Sequence, residues 1–402
     1  MTKRHIAYLA CAAALLGAGV GAAPPISVPR VHVVHPGQSI QKAVNAAKPG
    51  DTVLVYPGTY HESVKVTTRG LTLRGTGRLT VIEPAARKAA PSGHKAVSKG
   101  HKAAPSGHKA VSKGHEVVSK GRKAVPGGRK GAKGTRAAAK SCAELGNGIC
   151  VVGAKGHPLK NVTIASLTVR GFARTGVMAV GTDRLTVRKV TAEKNGQWGI
   201  AEERATRSVY RENTASANGD AGLFLANTIT AEQGAKDARG TVVDHNLLIG
   251  NRIGVTVRRL RNVTVTDNGV TGNCAGVFVV GDENKPKAGL TTVSGNSVVQ
   301  NNKYCPKTKR LAFLQGSGIV LTGVERVTVT RNLVTGNTGK SPLSGGVVLF
   351  KSFVGVTSER NRINQNMLLD NAPADLVNQE VARSANTFQG NFCRSSKPAG
   401  LC

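Results

Sequence analysis

Along the second half of this chain, a glycine followed by alternating apolar residues recurs at Gly176, Gly199, Gly222, Gly254, Gly276, Gly318 and Gly346, with closest spacings of 22 and 23 residues. Aligned on that glycine, the next position holds Val177, Ile200, Leu223, Val255, Val277, Ile319 and Val347. Two residues further on stand Ala179, Glu202, Leu225, Val257, Val279, Leu321 and Leu349. Side chains two apart on a strand share a face, so both columns are expected to point inward. The column between them, Met178, Ala201, Phe224, Thr256, Phe278, Val320 and Val348, then points outward and is too apolar for a solvated face. Either long loops fold back over it or it is a binding platform.

A second period runs through the same stretch. Asparagines five apart occur at Asn213/Asn218, Asn246/Asn251, Asn268/Asn273, Asn296/Asn301, Asn332/Asn337, Asn361/Asn366 and Asn386/Asn391. Runs such as Val263–Asp267 and Val327–Arg331 read as second strands that stop at the first asparagine of a pair. Asparagine tolerates left-handed backbone at a corner, and its amide can pair with its equivalent on the next coil. A period near 22 built from short Val-rich strands is that of a stacked β-coil, because helical repeats use longer units. The expected fold is therefore an all-β solenoid. Its aliphatic rows replace an aromatic centre, since only 3% of the chain is aromatic.

Upstream, Ile40, Ala43, Val44 and Ala47 form a helical stripe after Pro36-Gly-Gln-Ser39, which predicts a short amphipathic helix lying across the open end of the solenoid. Thr52–Tyr56, Ser63–Val66, Leu71–Leu73 and Thr80–Ile82 read as strands of the first coils, within an entry module over 31–84. Residues 87–140 break the pattern. Pro91–Ala104 repeats almost unchanged as Pro105–Val118, and fifteen Lys/Arg face the single acid Glu116, giving +14 of the formal net charge of +34. No core forms from such a sequence, and it reads as a disordered basic loop suited to an anionic polymer. The main β-helix is expected over 142–402.

Lys3 and Arg4, the apolar stretch Ile6–Val20 and the small residues after it read as a signal peptide over 1–22. Cys11 opens lipidation as an alternative, although Tyr8-Leu9-Ala10 fits a lipobox poorly. No later stretch is apolar enough to span a bilayer, so the expected location is secreted, extracellular or associated with the cell wall. Six cysteines remain after the signal, an even number suited to an oxidising compartment. Cys274 and Cys305 fall at equivalent points on neighbouring coils and should bridge. Cys142–Cys150 and Cys393–Cys402 then complete the set, and the absence of a C-x-x-C spacing argues against zinc.

These features together resemble the right-handed parallel β-helix superfamily, the pectin-lyase-like group with its NosD-type repeats. Pro36-Gly-Gln-Ser-Ile-Gln41, Pro49-Gly-Asp-Thr-Val53 and Tyr56-Pro-Gly-Thr-Tyr60 resemble the entry segment of such proteins, and the likeness covers 31–84 and 148–393. It implies a right-handed, single-stranded parallel β-helix with an N-terminal capping helix. It also implies a protein that acts on or binds acidic polysaccharide, as a glycan lyase or hydrolase or as a non-catalytic binding or adhesive solenoid. Pectate lyases bind calcium, so calcium is the cofactor the resemblance brings. Their W-I-D-H segment is only echoed in Thr241-Val-Val-Asp-His-Asn246, without the tryptophan, and Asp244 shares an outward column with Arg211. The N-T-D, D-D and G-H-G elements of polygalacturonase-like hydrolases are missing, and no residue is assigned as a metal ligand.

Glu202 is the one charged residue in its inward column, where desolvation would raise its pKa toward the general-acid range. The alternative is a bulge near Trp198 that turns Glu202 outward. Asp220 falls near it on the next coil, making Glu202/Asp220 one candidate dyad for glycoside hydrolysis, and Asp282-Glu283 at the start of an inserted loop is a second. Extra residues cluster at 226–240, 281–290, 302–317 and 338–345, and these insertions should rise over adjoining edges of one sheet. Arg258, Arg259, Arg261, Lys285, Lys287, Lys303, Lys307, Lys309 and Arg310 would then line an anion-binding groove for an acidic polysaccharide or cell-wall polymer. Nucleic acid ranks below polysaccharide because stacking aromatics are scarce. A monomer is expected.

Overall fold

The computed structural model describes residues 28–85, 140–309, 311–381 and 384–402. Within them the chain winds as a right-handed parallel β-helix with three long sheets of 14, 10 and 11 strands. Every strand pairing in these sheets is parallel and joins one coil to the next, as in Val31–Val34 with Thr52–Val55 and Ala221–Ala226 with Ile253–Arg258. The strands that follow the recurring glycines form the 11-stranded sheet.

The inward columns stack as expected. Val177, Ile200, Leu223, Val255, Val277, Ile319 and Val347 are successive register partners, and all are essentially inaccessible to solvent. Their side chains belong to one continuous aliphatic core that runs the length of the solenoid. The glycine itself is required by close approach. A Cβ on Gly199 would lie 2.7 Å from the carbonyl of Gly222 and 2.8 Å from the Asn218 amide nitrogen, and Gly176 meets Gly199 and Asn195 in the same way.

The asparagines form the expected amide stacks. Asn213 Nδ2 donates to Asn246 Oδ1, Asn246 to Asn268, Asn268 to Asn296 and Asn296 to Asn332, each at 2.9 Å. Each also donates to a strand carbonyl, so the corners are satisfied without water. The left-handed backbone sits one residue earlier than expected, at Glu212, His245, Asp267 and Arg331, and this leaves each asparagine free to turn its amide inward. The parallel stack through Asn218 and Asn371 ends on Asp375, whose Oδ1 accepts from both nitrogens of Asn371.

The first coils pair directly with the main body: Val64–Val66 lies against Ile149–Val151 and Thr72 against Thr163. The described coils on either side of the basic segment therefore stack directly on each other, and residues 86–139 lie outside the described residues, as do the signal segment and Cys11. The helix Ile40–Ala46 closes the N-terminal end, with Ile40 and Val44 buried. Glu62 from the next coil accepts from the amides of Ile40 and Gln41 and satisfies the helix N-terminus. A further strand, Gly58–His61, lies between the two expected at Thr52–Tyr56 and Ser63–Val66 and starts the ten-stranded sheet. Three disulfides are present, Cys142–Cys150, Cys274–Cys305 and Cys393–Cys402. Among the described residues, no helix is long and apolar enough to cross a membrane.

Candidate functional site

The outward apolar column is covered. Phe224, Phe278, Val320 and Val348 are nearly inaccessible and form a second apolar cluster with Trp198, Leu314, Leu343, Phe350 and the half-cystines Cys274 and Cys305. Trp198 and Phe224 stack with ring centroids 4.4 Å apart. Trp198 reaches this outer cluster although it lies two residues from the inward Ile200, so strand alternation breaks at the intervening Gly199.

The insertions do not close completely over this layer. Between them lies a cleft of about 730 Å³. One wall carries Ile229, Glu232, Asp282 and Glu283 from the insertions that follow the sheet strands, together with Arg258 and Arg259. The other carries Thr308, Lys309, Leu311 and Leu343 from the insertions that precede them, with Asp220 and Arg252 beneath. Lining residues run from Trp198 to Phe350, six successive coils of the sheet, a length of about 24 Å at the spacing of β-strands.

On the second wall, Arg252 holds the insertion down by donating from Nη1 to the carbonyl of Pro306 at 2.8 Å. Its Nε lies 4.0 Å from Asp220. Asp220 Oδ2 also accepts from the Trp198 indole at 3.0 Å. Burial pushes the Asp220 carboxyl above its ordinary range, against the opposing pull of Trp198 and Arg252. On the first wall, the buried Arg259 guanidinium contacts Asp282, lies 3.7 Å from Glu232 and donates to the carbonyl of Ala231 at 2.8 Å. Joined to one guanidinium, Glu232 and Asp282 stand within about 8 Å of each other, a spacing used by paired-carboxylate glycosidases.

The expected dyad is separated. Glu202 keeps the inward register, between Ala179 and Leu225, so no bulge turns it out. It is 1% exposed, is not among the cleft residues, and accepts from the buried Tyr210 hydroxyl at 2.6 Å. Burial raises its pKa, but the group is sealed inside the coil. Asp220 faces the cleft instead. Asp220 and Asp282 stand beyond opposite ends of the sheet strands, roughly 20 Å apart by strand rise, which exceeds the roughly 5–10 Å between cooperating carboxylates.

The nine expected cations are not gathered either. Arg258, Arg259 and Lys309 line the cleft. Arg261 and Lys287 meet each other on the 14-stranded side, where Arg261 pairs with Glu325 at 2.7 Å and Lys287 with Glu359 at 3.2 Å. Lys285, Lys303 and Lys307 are exposed and do not line the cleft, Lys303 capping the Gly250 carbonyl at 2.6 Å. Arg310 lies outside the described residues. Sequence reading missed Glu232, Arg252 and Trp198, the only tryptophan of the chain.

The calcium implied by the resemblance finds no fitting donor set. Asp244 is buried and paired with Arg211 at 2.8 Å and His245 at 3.3 Å, and among the described residues no three His, Cys, Asp or Glu side chains group to hold a metal.

Residues 140–298 match the family model described as the right handed beta helix region. No curated protein matches the chain. Similar solved structures include the A-module of the Azotobacter vinelandii mannuronan C-5 epimerase AlgE6, at 17% identity and a TM-score of 0.52 over 88% of each chain. The AlgE4 A-module of the same organism aligns at 16% identity and a TM-score of 0.51, over 87% of this chain and 88% of that one. DFA-IIIase from Arthrobacter chlorophenolicus A6 aligns at 12% identity and a TM-score of 0.50, over 92% and 82%. At such identities the likeness is one of fold.

Proposed function

We propose that this right-handed parallel β-helix is exported and binds a polysaccharide strand laid along the cleft. The observation that carries this reading is the shape of the cleft. It crosses six stacked coils and is walled by loops on a rigid sheet, so it suits an extended chain of repeating units better than a compact metabolite. Its apolar surface, including the exposed Phe353 and Val354, offers contact to the apolar faces of sugar rings, while Asp220, Glu232 and Glu283 offer hydrogen-bond acceptors to hydroxyls. Three disulfides and the apolar N-terminal stretch of the sequence support an oxidising, extracellular setting. The AlgE6 and AlgE4 modules belong to enzymes named for a polysaccharide, mannuronan, which agrees with this reading.

A catalytic reading rests on Asp220. It lines the cleft, and desolvation shifts its carboxyl upward, which makes it the candidate proton donor to a glycosidic oxygen. Its expected partner Glu202 is sealed inside the coil and Asp282 stands at the far end of the strands, while Glu232 and Asp282 are both engaged by the Arg259 guanidinium. Binding without cleavage is therefore the function the geometry supports best.

The test is to incubate the oxidised protein with pectate, alginate, hyaluronan, teichoic acid and neutral glycans, following retention, new reducing ends and unsaturated uronate. Retention without new ends is expected. Cleavage that disappears in Asp220→Asn would establish the catalytic reading in its place.

A further inference from the structure

We infer that the cleft selects an uncharged glycan, and that the excess positive charge of the chain acts elsewhere. This deepens the proposed polysaccharide site and rests on it. The whole chain carries a formal +34, which by itself points to a polyanion. The cleft does not share that imbalance. Among the described residues, its lining holds four carboxylates, Asp220, Glu232, Asp282 and Glu283, against four cations, Arg252, Arg258, Arg259 and Lys309.

The arginines are also occupied. Arg259 is 4% exposed and contacts Asp282, Glu232 and a main-chain carbonyl. Arg252 is 8% exposed and spends donors on Pro306, and Arg258 donates to the carbonyl of Ile229 at 3.2 Å. A polyuronate needs open guanidinium forks, one carboxylate per sugar, and would have to lie beside the cleft's own acids. A neutral glycan meets neither cost. Its hydroxyls both donate and accept, so carboxylate and guanidinium groups side by side suit it, and the apolar surface of Phe353 suits its ring faces. An uncharged sugar also lacks the carboxyl group that acidifies the neighbouring C–H for β-elimination, so any cleavage here would be hydrolysis.

The chain reports on its own cleft, because its single tryptophan, Trp198, bonds the cleft carboxylate Asp220. Tryptophan emission of the full, oxidised chain is titrated with neutral hexasaccharides (β-1,4-glucan, β-1,3-glucan, xylan, mannan) and with hexagalacturonate and hexamannuronate, at about 50 mM and about 0.5 M salt. At least one neutral ligand should change the emission saturably, with an affinity that moves less than about twofold between the two salts. Two sets of variants sharpen the result. Lys285→Ala, at an exposed position outside the cleft, should leave that affinity within about twofold. Glu232→Gln with Asp282→Asn, which shifts the formal balance of the cleft to positive, should gain salt-sensitive uronate binding of about tenfold. Saturable, salt-sensitive binding of uronates alone by the unmodified protein would overturn the uncharged class and leave the cleft as the glycan site. Silence toward every oligosaccharide, with no retention on any polymer, would overturn the cleft reading and this inference together.

Discussion

Glu202 shows how the same residue reads differently by position and by surroundings. Its column is apolar, and period-two alternation pointed it into the coil while a bulge near Trp198 stood as the alternative; the strand register is what places it inside. That the interior at this point is closed, leaving Glu202 Oε1 without a hydrogen-bond partner among the described residues, depends on packing that no local pattern reveals. A buried carboxyl with a raised pKa holds its proton more tightly in the folded than in the unfolded state. Its contribution to stability is therefore full at low pH and is lost as pH rises from the ordinary carboxylate range through the raised folded value. Glu202→Gln removes that ionisation. Urea titrations should find the variant more stable than the parent at pH about 8, by about 1–3 kcal/mol, with the difference shrinking toward pH about 4. An equal gap at both pH values would mean that Glu202 does not ionise in the folded protein.

At the scale of the element, the strands and corners were legible because vertical stacking imposes a period on the sequence. The glycine column and both asparagine stacks follow from contacts between equivalent positions, and these contacts ignore what is inserted between them. Asn218 and Asn251 are 33 residues apart and Asn251 and Asn273 are 22 apart, yet the amide bonds are 3.0 and 3.1 Å. The cleft walls were not legible, because loops carry no period. The bond from Arg252 to Pro306 spans 54 residues, the Arg259 to Glu232 contact joins two loops of unrelated sequence, and the turn of Trp198 to the outer layer hides in a break of alternation at Gly199. The stacks also set the cost of damage. Asn251→Ala removes the acceptor for both the main-chain and side-chain nitrogens of Asn218, and the donor to Ala215. The transition midpoint in urea should fall by an amount equivalent to about 2–4 kcal/mol. A loss below about 0.5 kcal/mol would show that the neighbouring amides find other partners.

For the molecule as a whole, the division of labour lies between a repetitive scaffold and the insertions it carries. Each coil rests on its neighbours, so the solenoid tolerates long loops where they leave the same edges. Those edges flank one sheet, which is why the insertions at 226–240, 281–290 and 302–317 meet over it. The ties that hold the 302–317 wall include the Cys274–Cys305 disulfide, the Arg252 bond to Pro306 and the Lys303 bond to the Gly250 carbonyl. The disulfide anchors the insertion at the start of the strand Ala275–Val280, so removing it should free the wall and leave the coils stacked. In the Cys274→Ser, Cys305→Ser double variant, far-UV circular dichroism is expected to retain the parental β signal. Trypsin should cut rapidly at the exposed Lys307, and Trp198 emission should shift to the red as Leu314 and its neighbours lift from the outer cluster. Resistance at Lys307 equal to the parent's would mean that packing of Leu314 and Leu343 holds the wall without the covalent tie. Loss of the β signal would mean that the outer layer is part of what keeps the solenoid wound, and the separation between scaffold and site would fail.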